Sequence, residues 1–100
     1  MGMRAAFMFI APQGNPRQHV ATVTTPEVEV ITVAVADYAS ACLAAEDLVG
    51  QGVTAIELCG GFGSAGVAAV ARAVGSRAVV GVVRFDHHPG LGHRSGDELF

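Results

Sequence analysis

The chain has 100 residues, enough for one domain, and about half of them are hydrophobic, mostly Ala and Val. The net charge is −3, and all six basic residues are arginines (Arg4, Arg17, Arg72, Arg77, Arg84 and Arg94), set singly along the sequence. With no basic stripe and no aromatic interleaving, composition argues against a nucleic-acid partner, and no segment is apolar for long enough to span a membrane.

Arg4–Ala11 is a short continuous apolar run, the pattern of a strand buried on both faces. The segment Met1–Ala11, with one Arg before an apolar run, superficially resembles a signal peptide, but the run is too short and leads into the turn-forming Pro12-Gln13-Gly14-Asn15-Pro16. Asn15 followed by Pro16 predicts a capped short helix from Arg17 to about Val23, ended by Thr24-Thr25-Pro26. Val28–Val35 reads as a second strand. Asp37 caps a second helix with apolar positions Tyr38, Ala41, Cys42, Ala45, Leu48 and Val49, stopped by Gly50 and Gly52. Val53–Leu58 is the third strand. Gly63 or Ser64 opens a third helix with Val67, Val70, Ala71 and Val74 on one stripe, and Gly75 ends it. Ala78–Val83 is the fourth strand, and residues 85–100 form an irregular tail rich in Gly, His and Pro.

This βαβαβαβ order predicts an α/β domain over residues 1–100 with a four-stranded, mostly parallel sheet, Rossmann-like or half-barrel-like. The strands read as apolar on both faces, and three helices are too few to cover them. The tail or a second subunit must do the rest, and a homo-oligomer is expected. Two cysteines, Cys42 and Cys59, make neither a disulfide framework nor a C-x-x-C motif, which points to reduced thiols in the cytoplasm.

A parallel sheet gathers the C-terminal ends of its strands on one edge, where ligands bind. Here that edge carries Gly60-Gly61-Phe62-Gly63-Ser64 between a strand and a helix, an arrangement that presents backbone N–H groups to an anion. Gly61-x-Gly63-x-x-Gly66 spells the dinucleotide fingerprint, and Asp86 follows Gly66 by 20 residues. The motif sits in the last βαβ unit, however, and no second half follows, so no cofactor is assigned. Close packing of the helix on the sheet explains the same glycines.

Glu57, an acid within an apolar strand, is the leading candidate for proton transfer, and pairing with Arg84 is its structural alternative. Asp86, His87 and His88 supply carboxylate and imidazole groups to orient or protonate a substrate. With His93 they are also weak metal candidates, since the spacing matches no strong zinc pattern. Cys59 stands where a nucleophile can stand, but no triad accompanies it. Arg84 completes the candidate anion site.

The strings Ala55-Ile56-Glu57-Leu58-Cys59-Gly60-Gly61-Phe62-Gly63, Val82-Val83-Arg84-Phe85-Asp86-His87-His88-Pro89-Gly90 and Ser95-Gly96-Asp97-Glu98-Leu99-Phe100 resemble a small uncharacterised bacterial family, the domain of unknown function 6506 family. The resemblance implies a stand-alone domain of this size and carries no activity or site residues with it. The residues themselves suggest a small enzyme of lyase or isomerase type acting on an anionic or carbonyl-bearing metabolite. The alternatives are a non-catalytic ligand- or metal-binding sensor module and a structural oligomer subunit.

Overall fold

A computed structural model describes residues 2–85 and 87–100. Among them are five strands and two α-helices: β1 (Met3–Ile10), β2 (Val20–Thr24), β3 (Val28–Val35), α1 (Tyr38–Gly50), β4 (Ala55–Leu58), α2 (Ser64–Val74) and β5 (Val79–Val82). The strands form one sheet in the order β2-β3-β1-β4-β5. β1 is parallel to β3 and β4, β4 is parallel to β5, and β2 alone is antiparallel, hydrogen-bonded to β3.

The extra strand corrects the four-stranded βαβαβαβ expectation. The sequence predicts a helix over residues 17–23, yet this segment enters the edge strand β2 at Val20. The Asn15 cap does form: its Oδ1 accepts from Arg17 N–H at 2.9 Å, and its carbonyl accepts from His19 N–H at 2.7 Å. One turn is all it sustains. Ala34 N–H already donates to the His19 carbonyl at 2.9 Å, which commits the chain to the ladder with β3. The β-branched Val20, Thr22, Val23 and Thr24 then favour extension. A turn at Thr25, whose hydroxyl accepts from Val28 N–H at 3.0 Å, reverses the chain into β3.

Both helices pack on the same face of the sheet. Alternation along the strands sends Ala6, Met8, Ile10, Ile31, Val33, Val35, Ile56 and Leu58 into the core with Ala41, Ala45, Leu48, Val70 and Val74 of the helices. The alanines on α1 leave room for close approach to the sheet. Asp37 caps α1 through its Oδ1, which accepts from Ser40 N–H at 2.8 Å. α2 ends at Gly75, whose φ of 58° is left-handed.

The opposite face carries no helix. Its residues are Met3, Ala5, Phe7 and Phe9 of β1, Val28, Val30, Thr32 and Ala34 of β3, Ala55 and Glu57 of β4, Val79 and Gly81 of β5, and Ala21 and Val23 of β2, as the strand registers require. Val79 is 71 % exposed and Val23 67 % exposed. At the lower end of the sheet, Arg4 Nε lies 3.0 Å from Glu29 Oε1 and its Nη1 donates to the Gln51 carbonyl, tying β1 to β3 and to the end of α1. Among the described residues, no helix is long and apolar enough to cross a membrane.

Candidate functional site

The turn from β4 into α2 lies at the strand-end edge, as expected, and its amides face an anion supplied by the chain itself. Gly63 is the N-cap of α2 and has no side chain to cap with. The carboxylate of Asp97, 34 residues after Gly63, takes that role: Ala65 N–H donates to Oδ2 at 3.0 Å and to Oδ1 at 3.2 Å. Gly66 N–H lies 3.4 Å from the same Oδ1. The Tyr38 hydroxyl donates to Oδ1 at 2.7 Å and accepts from Gly63 N–H at 3.0 Å. Three elements, α1, α2 and the tail, thus meet at one carboxylate, where the positive end of the α2 dipole favours negative charge.

The electrostatics follow from these contacts. Partial burial pushes the Asp97 carboxyl up, but the hydrogen bonds from Ala65, Tyr38 and Gly66 and the charge of Arg84 together outweigh it, holding the group below its ordinary value of 3.8. Burial first, and then the hydrogen bond to Asp97, push the Tyr38 phenol up to about 12. Asp37 is held low by its hydrogen bonds from Ser40. The Cys42 thiol is raised by burial, with Glu46 adding to the effect.

The tail holds two single-turn 3₁₀ helices, Pro89–Leu91 and Gly96–Glu98. Ser95 and Glu98 form a capping box: Asp97 N–H donates to Ser95 Oγ and Ser95 N–H donates to Glu98 Oε2, both at 3.1 Å. This turn presents Asp97 to α2. It docks tightly, because a Cβ on Gly96 would stand 1.9 Å from the Gly61 carbonyl oxygen.

The sequence-predicted residues fall into two groups. Gly60 lies under the Phe85 ring, where a Cβ would come within 2.0 Å of it. Gly61 N–H donates to Cys59 Sγ at 3.2 Å. Phe62 is 2 % exposed and stacks on Tyr38 with ring centroids 5.8 Å apart, so it packs as a core residue. Ser64 is exposed at the first position of α2. Arg84 donates to the Phe85 carbonyl, and its charge also acts on Asp97. His88 packs against Phe85 at 4.8 Å and caps the Pro89–Leu91 turn, accepting from Gly90 N–H at 3.0 Å. His87 Nδ1 donates to the His93 carbonyl at 3.3 Å. His93 has a φ of 60° and donates its N–H to the His88 carbonyl at 2.9 Å.

Glu57 stands apart from this assembly. Its strand neighbours Ile56 and Leu58 point into the core, so its carboxylate projects, exposed, from the helix-free face between Phe7 of β1 and Gly81 of β5. Asp97 and the first turn of α2 belong to the helix layer. Asp86 lies outside the described residues. Among those described, no group of three or more His, Cys, Asp or Glu side chains is placed to hold a metal.

Asp97 and Tyr38 were not among the residues singled out by sequence. The Ser95-x-x-Glu98 capping box is a readable signal of a helical turn in the tail, but nothing local shows which amides Asp97 reaches.

Comparison with known proteins adds one finding. The model of a family of unknown function matches residues 3–98 of the chain. No curated protein and no solved structure matches it.

Proposed function

The chain belongs to that family, DUF6506, and we propose that it serves as a non-catalytic, self-associating module, a cytoplasmic homo-oligomer subunit that pairs through its helix-free sheet face. The observation that carries this reading is the composition of that face. Of its 14 strand residues only Thr32 and Glu57 are polar, and the rest are apolar or glycine. Parallel sheets bury both faces, and an exposed apolar surface of this kind is characteristic of an interaction site. A second copy related by a two-fold axis covers it with no further chain.

The closed glycine turn supports the non-catalytic reading. Its anion seat holds Asp97 and its glycines are packed under Phe85, Tyr38 and Gly96, so an outside anion would have to displace the tail. Free thiols at Cys42 and Cys59 suit a reducing compartment.

The test is oligomeric state. In light scattering coupled to gel filtration, the wild-type protein is expected to run as a dimer or larger, and Val30→Asp and Phe7→Asp are expected to run as folded monomers. A monomeric wild-type protein at high micromolar concentration overturns the reading.

One observation favours a second reading, an acid–base enzyme of lyase or isomerase type acting on a small anionic or carbonyl metabolite. Glu57 is the single carboxylate among the strand residues of the helix-free face, and a Cβ on neighbouring Gly81 would meet nothing within 4 Å. A second copy would enclose that carboxylate beside open space, where a small substrate could reach it as a general base. Turnover of a small carbonyl acid that disappears in Glu57→Gln, with the oligomer intact, would establish it.

A further inference from the structure

The helix side of the sheet has a defect at its β2 edge. α1 packs over β3 and β1, and β2 is exposed along its whole length. Between them lies a groove of about 370 Å³, floored by Ile31, Val33, Ala44 and Leu48. That volume is at the lower end of small-molecule sites. Two apolar side chains stand in the open on its walls: Leu43 of α1, 67 % exposed, and Val20 of β2, 48 % exposed.

The rim is charged at two different heights. Arg17 sits at the upper end, in the turn before β2, beside Pro16 and near the start of α1. Asp47 sits on α1 seven residues after Ser40, which places it about 10 Å further down the helix axis at 1.5 Å per residue. Among the described residues neither charged group has a side-chain partner, and both are exposed. A cation above, a carboxylate below and an apolar floor between them complement an elongated zwitterion with a carboxylate at one end, an amine at the other and an apolar body. An extended tripeptide spans about 10 Å.

We infer that the groove between α1 and β2 binds a short apolar peptide, its carboxylate on Arg17, its amine on Asp47 and its side chains over Leu43, Val20 and the buried floor. The groove lies on the opposite side of the sheet from the helix-free face, so it stays open whether or not copies pair through that face.

The experiment titrates leucyl-alanyl-leucine into the protein, followed by methyl NMR and calorimetry. The expected result is saturable binding that shifts the methyl signals of Leu43 and Val20. Arg17→Gln and Asp47→Asn, which remove no internal contact, should each weaken binding about tenfold, the loss expected for one charge-assisted contact. Blocking the peptide's carboxylate as an amide should reproduce the Arg17→Gln loss, and acetylating its amine the Asp47→Asn loss. Absence of binding by the free tripeptide overturns the inference, as does equal binding by the capped forms. A change of oligomeric state in Leu43→Asp with peptide binding unchanged would also overturn it, by making the groove a contact between copies. A monomeric wild-type protein that still binds the tripeptide would separate this inference from the self-association reading.

Discussion

The Tyr38 hydroxyl and the Asp97 carboxylate meet at 2.7 Å across 59 residues of sequence, directly over the first turn of α2. This contact joins the start of one helix to the cap of the other, and the tail closes both. Tyr38 also stacks on Phe62 and touches Phe100 at 6.3 Å between ring centroids, so its polar end and its ring hold the same junction.

Tyr38 is the only tyrosine and the chain has no tryptophan, so its ionisation can be read directly by ultraviolet absorbance. The expected midpoint is about 12, against an ordinary 10.0, because burial and Asp97 both disfavour the phenolate. The sign follows from the raised value: the contribution to stability is full below pH 10 and is lost as pH rises toward 12. In Asp97→Asn the midpoint should fall toward the ordinary value.

Asp97 governs the acid side. Its folded-state value is depressed, so its contribution is present above 3.8 and fades as pH falls below that. Asp97→Ala is expected to cost about 1 kcal/mol at neutral pH, the usual loss for a helix cap. It should also flatten the acid limb of a stability curve measured by urea unfolding. An unchanged acid limb would contradict the capping role.

Glycine substitutions should divide sharply. A Cβ on Gly96 would stand 1.9 Å from a backbone oxygen, so Gly96→Ala must lift the tail off the turn and release the Asp97 cap with it. Gly50, at the end of α1, has nothing within 4 Å of its Cβ position and no positive φ. Gly50→Ala should therefore stabilise the protein by about 0.5 kcal/mol, by restricting the unfolded chain. Thermal melts of the two variants should move in opposite directions.

The Arg4–Glu29 pair is partly exposed and should contribute little. Glu29→Gln is expected to cost about 0.5 kcal/mol or less, with the difference shrinking at high salt. A larger loss that persists in salt would mean that the pair is screened less than its exposure implies.

The parallel part of the fold was legible because its signals are local. Val28–Val35, the Asp37 cap, the Ser64 start and the Gly75 stop all appear where their residues predict. β2 was not legible from Asn15-Pro16, because a capped first turn looks the same whether a helix or a strand follows. The β-branched residues from Val20 onward and pairing with β3 decided it. The position of the glycine turn could also be read, but what fills it could not, since Asp97 reaches it through tertiary folding alone. Glu57 was visible as an acid in an apolar strand, and only the helix layout determines which face it occupies.

The cap of α2 has a consequence for the order in which the chain comes to order. During synthesis the helix emerges well before residue 97, so its first turn must wait, uncapped, for the tail. Until then the amides of Ala65 and Gly66 lack their carboxylate, and the Gly61 carbonyl lacks its neighbour Gly96. A segment made later thus completes an element made much earlier, and a nascent chain arrested before Asp97 would carry α2 without its clasp.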